Sequence, residues 1–150
     1  MSDRSAGSPV IRKMVAGDLD RIIEIDRKVL EKSRPEYWEM KLELVEKRPG
    51  ISALVAELDS TVVGFIIGGA SRWEYGVPEN IGWIDTIGVD PDYQRKGIAA
   101  RLFERMTQDL KQSGVDTITT FVKRWDPTLL NFFKSLGFRK GDMINLELDL

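Results

Sequence analysis

The run Gln94-Arg95-Lys96-Gly97-Ile98-Ala99 follows an apolar stretch ending at Val89 and precedes a helical pattern, so it joins a strand to a helix. Such a turn exposes backbone N–H groups that have no partner within the helix, and the helix dipole adds partial positive charge at the same end. Gly97 allows a ligand to approach the backbone closely, and Arg95 and Lys96 contribute two cations. The chemistry these residues support is the holding of an anion, a phosphate above all. The spacing fits neither the Gly-Lys-Ser/Thr of a P-loop nor the Gly-x-Gly-x-x-Gly of dinucleotide folds, so a different phosphate-bearing ligand is expected. Upstream, Asp85 lies on a strand whose Trp83, Ile87 and Val89 share its face by alternation, a carboxylate on an otherwise apolar surface. The chain has no Cys and no His, which excludes thiolate nucleophiles, histidine bases, Cys/His metal sites and Ser-His-Asp triads. Catalysis is left to carboxylates, hydroxyls, Lys, Arg or backbone amides, with no metal.

The elements that must position these residues can be read from periodicity. Val10 to Met14 reads as a short strand. Asp18 then caps a helix whose Leu19, Ile22, Ile25 and Val29 recur at helical spacing, and Glu36 to Arg48 forms a second helix with Trp38, Leu42 and Val45 on one face. Ile51 to Leu58 and Thr61 to Ala70 are β-branched runs joined by Asp59-Ser60, a hairpin. Ile81 to Val89 is the next strand. Beyond Pro91 a helical pattern with Ala99, Leu102, Phe103, Met106 and Leu110 on one stripe runs to Ser113, ended by Gly114. Thr117 to Val122 reads as a strand, Asp126-Pro127 opens a short helix closed by Gly137, and Met143 to Leu148 reads as a final strand. This order predicts an α/β (α+β) fold: a mixed, mostly antiparallel central sheet of six to seven strands flanked by about four helices.

With 150 residues, 42% of them hydrophobic, the chain is expected to form a single domain over 1–150, with a loose tail at about 1–8. Lys and Arg number 22 against 24 Asp and Glu, a net charge of -2, which gives no electrostatic reason to expect a nucleic-acid partner. No apolar run approaches the ~20 residues that span a bilayer, and the polar opening lacks a signal-peptide core, so no membrane partner and a cytoplasmic location are expected.

The segment Gln94 to Ala99 resembles the Gln/Arg-x-x-Gly-x-Gly/Ala signature of the GNAT superfamily of acyl-CoA-dependent N-acyltransferases. Ile87 to Tyr93, as Ile-x-Val-x-Pro-x-Tyr, looks like that family's fourth strand and its exit, and Asn131 to Phe138 is similar to its later helix ending in Leu-Gly-Phe. The order of elements fits from about Val10 to the end.

The resemblance implies acetyl-CoA as acyl donor and an amine as acceptor. The diphosphate would lie on Gln94, Arg95, Lys96, Gly97, Ile98, Ala99 and Ala100, and the pantetheine arm would run between the strands Ile81 to Val89 and Thr117 to Val122. Ile87, Gly88 and Val89 would hold the arm by backbone, with a Val89 amide polarising the thioester carbonyl. Asp126 stands where the family often contacts the cofactor by Asn, although a capping role explains it equally. Asp85 is the candidate general base, with a structural or acceptor-orienting role as the alternative. Many members carry a proton-donating Tyr at the position of Phe133. Phe133 cannot donate, so water, one of Tyr37, Tyr75 and Tyr93, or departure of unprotonated thiolate takes that role; the ring itself is expected to be core that touches the arm. Tyr37, Trp38, Trp73, Glu74, Tyr75 and Glu79 fall in acceptor-side segments and would suit a cationic amine, although core packing for Trp38 and solvated loop charges for the two glutamates account for them as well. An acyl-CoA-binding module without turnover is the second reading, and a homodimer is compatible with either.

Overall fold

A computed structural model describes residues 7–150; the expected loose tail lies mostly outside the described residues. Five strands form one sheet in the order β1-β2-β3-β4-β5. They are β1 (Val10–Lys13), β2 (Ile51–Leu58), β3 (Thr61–Ala70), β4 (Ile81–Val89) and β5 (Thr117–Thr120). Neighbours run antiparallel except β4 and β5, which are parallel. Four α-helices cover the sheet: α1 (Leu19–Leu30), α2 (Pro35–Lys47), α3 (Ile98–Gln112) and α4 (Pro127–Ser135).

Alternation along the central strands feeds two apolar layers. Leu54, Ile66 and Ile84 meet Leu102, Met106 and Leu110 of α3 and Phe133 of α4 on one face. On the other, Val55, Phe65 and Ile67 meet Ile22 and Ile25 of α1 and Trp38 of α2. The hairpin turn is as read: Asp59 and Ser60 both have positive φ, 51° and 65°, which matches the primed turn that a two-residue connection favours.

Several expectations are corrected. The sheet has five strands, not six to seven, because Met143 to Leu148 pairs with nothing among the described residues, and β5 stops at Thr120 rather than Val122. An alternating sequence supplies a strand's side chains, but a strand also needs a partner edge for its backbone. Asp18 does not cap α1 with its side chain: the carboxylate accepts from the amide of Val15 at 2.8 Å and pairs with Arg12. Val29 lies outward from the α1 stripe, 45% exposed.

The correction that matters most for the site is a bulge in β4. The register steps from Ile67 opposite Thr86 to Gly68 opposite Ile84, leaving Asp85 as the extra residue. A bulge reverses side-chain parity. Ile87 and Val89 therefore join the α3 layer, while Trp83 and Asp85 line a cavity against Ile51 and Ile67 on the α2 side. The expected common face of Asp85 and Val89 does not exist.

Candidate active site

The end of β4 is fixed by a buried carboxylate. Asp90, 1% exposed, accepts from Arg21 at 2.9 Å and from Lys28 at 3.3 Å, both on α1, and from the amide of Asp92 at 3.0 Å. Burial opposes its ionisation, but the Asp92 amide, Arg21 and Lys28 outweigh it and hold the carboxyl below the usual range. Arg21 also donates twice to the Val62 carbonyl, so α1, β3 and the exit of β4 move as one unit.

Pro91–Tyr93 forms a single 3-10 turn after Asp90, and the chain then enters α3 through Gly97 at φ 78°. A Cβ there would meet no atom within 4 Å, so glycine is required by the left-handed backbone and not by crowding. The first helical bond into this region is Arg101 N–H to the Gly97 carbonyl at 3.0 Å; the amides of Arg95 to Ala100 donate to no acceptor among the described residues. Arg95, Lys96 and Arg101 stand around them and form no ion pair among the described residues. Free donors, a helix N-terminus and three uncompensated cations together make an anion site.

Beside this loop the sheet opens. β4 and β5 pair only from Ile81 opposite Thr117 to Ile84 opposite Thr120, where the Thr120 hydroxyl donates to the Ile84 carbonyl at 2.9 Å. Beyond that rung β4 continues without β5. Asp90 N–H donates to Val63 of β3, and successive amides along a strand point to opposite edges, so the N–H groups of Val89 and Ile87 face the opened side. The Val89 carbonyl on that side accepts from the Gln94 side chain at 3.2 Å, which ties the loop to the notch. Gly88 faces the other way: a Cβ there would lie 2.7 Å from the Phe65 ring, so only glycine allows Phe65 beneath β4.

On the α2 side, Asp85 is half exposed and ion-paired with Lys41 at 2.5 Å. Burial pulls the Lys41 ammonium down, but its hydrogen bond to Asp85 and the carboxylate charge prevail, leaving it above the usual lysine value. Tyr37 lies beside the same ammonium, its ring centroid 5.4 Å from Lys41 and stacked by Arg34 at 4.0 Å. A cavity of about 320 Å³ extends from Asp85 over Gly68, along the packed rings of Trp83 and Phe121 and out to Arg48 and Arg72. Neither arginine side chain makes a hydrogen bond or ion pair among the described residues.

The other expected residues fall as follows. Asp126 caps α4 through the amide of Leu129 at 3.0 Å. Phe133 is buried in a cluster with Phe132 and Phe138. Trp38 is core, T-stacked on Phe65. Tyr93 packs against the α3 layer, and Tyr75 is exposed at the cavity rim. The loop carboxylates are engaged locally, Glu79 by the Trp73 indole at 2.9 Å and Glu74 by the Arg72 amide at 2.6 Å. Lys41, Arg48, Arg72, Phe121 and Asp90 were not anticipated; of these only Asp90 carried a local signal, an Asp before Pro whose side chain can take the amide two residues on.

Comparison with known proteins agrees with this fold. The model of the acetyltransferase (GNAT) family matches residues 19–138. An N-alpha-acetyltransferase of Saccharolobus solfataricus is 30% identical over 141 residues, covering 87% of this chain and 80% of that protein. The ribosomal protein bS18-alanine N-acetyltransferase of Escherichia coli is 37% identical over 55 residues, 37% of each chain. Among solved structures, an aminoglycoside N-acetyltransferase in complex with CoA superimposes with a TM-score of 0.81 at 15% identity, over 95% of this chain and 96% of that one. The PaiA N-acetyltransferase of Thermoplasma acidophilum with coenzyme A gives 0.73 at 22% identity, over 92% and 94%. Among the described residues no group of three or more acidic, His or Cys side chains is arranged to hold a metal, and no helix is long and apolar enough to cross a membrane.

Proposed function

The chain belongs to the acetyltransferase (GNAT) family, and from that membership we propose that it transfers the acetyl group of acetyl-CoA to a primary amine, of a small molecule or of a peptide or protein N-terminus. The observation that carries this reading is the run of unpartnered amides from Arg95 to Ala100 beside the open edge of β4. Those amides, with Arg95, Lys96 and Arg101, fit a diphosphate, and the Ile87 and Val89 edge fits the amide groups of an extended arm.

Acetyl-CoA supplies an activated thioester. The Val89 N–H donates to its carbonyl oxygen and stabilises the negative charge that grows there during attack; its position on the opened edge of β4 supports this role. The amine enters through the cavity on the other side of β4, so the Asp85 bulge brings donor and acceptor to one strand from two layers. Asp85 takes the proton that the amine must lose, and the Lys41 ammonium marks where an amine hydrogen-bonds to that carboxylate. A C–N bond forms, the C–S bond breaks, and the electron pair leaves with sulfur. With Phe133 buried and lacking a donor, the sulfur departs as thiolate and takes its proton from water, which a thiol pKa near ~8.5 permits. The absence of Cys and His supports direct transfer without an acyl-enzyme. The likeness to the Saccharolobus protein supports an α-amine of a polypeptide as acceptor, and a 320 Å³ cavity suits one or two residues.

The test is to incubate the chain with acetyl-CoA and a panel of N-terminal peptides, polyamines and aminoglycosides while following free thiol. Thiol release that depends on an amine is expected. Tight binding of acetyl-CoA with no turnover on any acceptor would replace the enzyme reading by the binding module.

A further inference from the structure

Asp85 already meets a primary amine of the chain itself. Lys41 Nζ donates to Asp85 Oδ2 at 2.5 Å, the same hydrogen bond that an acceptor amine makes to that carboxylate under the proposed function. Among the described lysines in ion pairs its side chain is the most enclosed, 16% exposed against 28% for Lys28 and 71% for Lys47. The helix holds it there. Trp38, three positions earlier and so on the same face of α2, is buried and T-stacked on Phe65 of the sheet. The Tyr37 ring lies 5.4 Å from the ammonium, and Arg34, stacked on that ring, is neutralised by Asp26 at 2.7 Å.

Two routes therefore lead an amine to Asp85. The cavity, whose wall does not include Lys41, reaches the carboxylate from outside, and the Lys41 stem reaches it from α2. An external acceptor must be captured from solution, whereas a side chain tethered at this distance is present at an effective concentration that no free amine matches. The other ion-paired lysines touch no group of the reaction: Lys28 is engaged by Asp90 and Asp92, and Lys47 by Glu43.

We propose that Lys41 is a site of self-acetylation in cis: with acetyl-CoA bound and no acceptor in the cavity, the chain transfers one acetyl group to its own Lys41 Nζ. The inference rests on the proposed function, with Asp85 as base and the thioester at the Val89 edge. Lys41 is charged at rest, because burial is outweighed by its bond to Asp85, so the reaction begins when Asp85 takes one proton from Nζ. The freed electron pair attacks the thioester carbon. A C–N bond forms, the C–S bond breaks, and its electron pair leaves with sulfur. Nζ gives up a second proton to water as the adduct collapses, the thiolate takes one from water, and Asp85 returns its own to solvent. The resulting amide carries no charge and is no longer nucleophilic, so each chain reacts once and loses its ion pair.

Peptide mapping by mass spectrometry, after the full chain is incubated with acetyl-CoA and no added amine, tests this. Thiol release is expected to stop at one equivalent per chain, with the label on Lys41. It should form there about a hundredfold faster than on the exposed Lys47 of the same helix, at a rate constant independent of protein concentration. Asp85→Asn should slow the labelling about a hundredfold, and Lys41→Arg, which keeps a cation beside Asp85, should abolish it. Circular dichroism checks that both variants fold, and the wild-type map decides the matter alone should either not. Label spread evenly over surface lysines, or a rate constant that rises with protein concentration, would overturn the proposal. So would an unlabelled Lys41 in a chain that acetylates an added amine, an outcome that leaves the proposed function standing. A chain that labels neither Lys41 nor any amine of the panel would remove both.

Discussion

At the C-terminal end of β4 the site is made of backbone: amides from Arg95 to Ala100 and the N–H groups of Ile87 and Val89. On the α2 side of the same strand it is made of side chains: Asp85 with Lys41, Trp83 with Phe121, and the free Arg48 and Arg72. A backbone-built half is indifferent to most substitutions and fails only when a dihedral angle or a charge is wrong. A half built from side chains can be retuned one residue at a time, which is where specificity among members of one fold is expected to vary.

The largest effect expected from this contrast is at Gly97. Gly97→Glu puts a side chain on a backbone at φ 78° and a carboxylate among the anion donors, and affinity for acetyl-CoA should fall about a hundredfold or more by calorimetry. Lys96→Ala should change it only a few-fold, since an exposed cation contributes little. Equal losses in the two variants would break the distinction.

Asp90 underlies the backbone half. Asp90→Ala leaves Arg21 and Lys28 facing an emptied site and should cost about 3 kcal/mol in urea unfolding. Its carboxyl is held below the ordinary value in the folded chain, so its contribution is complete above the unfolded pKa of about 3.9 and is lost as pH falls through the folded one. The stability gap between the wild-type chain and Asp90→Asn should therefore narrow on acidification below about pH 4; a constant gap would remove the ion pairs from the account.

On the side-chain half, Asp85→Asn should lower turnover by about a hundredfold near neutral pH and leave acetyl-CoA affinity unchanged. Activity should recover as pH rises and the acceptor loses its proton unaided. Full activity across the pH range would take Asp85 out of the reaction. Arg72→Ala should have the smallest effect, raising the KM of a peptide acceptor by about threefold with the KM of acetyl-CoA unmoved.

The same contrast explains what was legible in the sequence. The Gln94–Ala99 loop, the Asp59-Ser60 turn and the Asp126 cap are local: their residues form bonds within a few positions, so type and spacing suffice. Asp85 is visible in the sequence as a polar residue in an apolar strand, but alternation gives the wrong direction for it, because alternation assumes an unbroken register and the bulge is set by how β4 pairs with β3 across Ile67 and Gly68. Lys41 is 44 positions from Asp85, and nothing in the helix containing it announces that pairing. Met143–Leu148 shows the converse. Its strand pattern is clear, yet it pairs with nothing among the described residues, because alternation supplies side chains but no partner edge.

The loop amides also bear on how long the molecule lasts. A ligand gripped by Arg95–Ala100 and the edge of β4 recognises the folded chain alone, since the unfolded chain has neither surface. On the proposed function, mass action would turn cofactor supply into protection: at a hundredfold excess over its dissociation constant, acetyl-CoA would add about 2.7 kcal/mol against unfolding. The resistance of the chain to proteolysis, and with it its abundance, would rise and fall with the acetyl-CoA pool, so that a metabolic signal is registered by survival as well as by turnover.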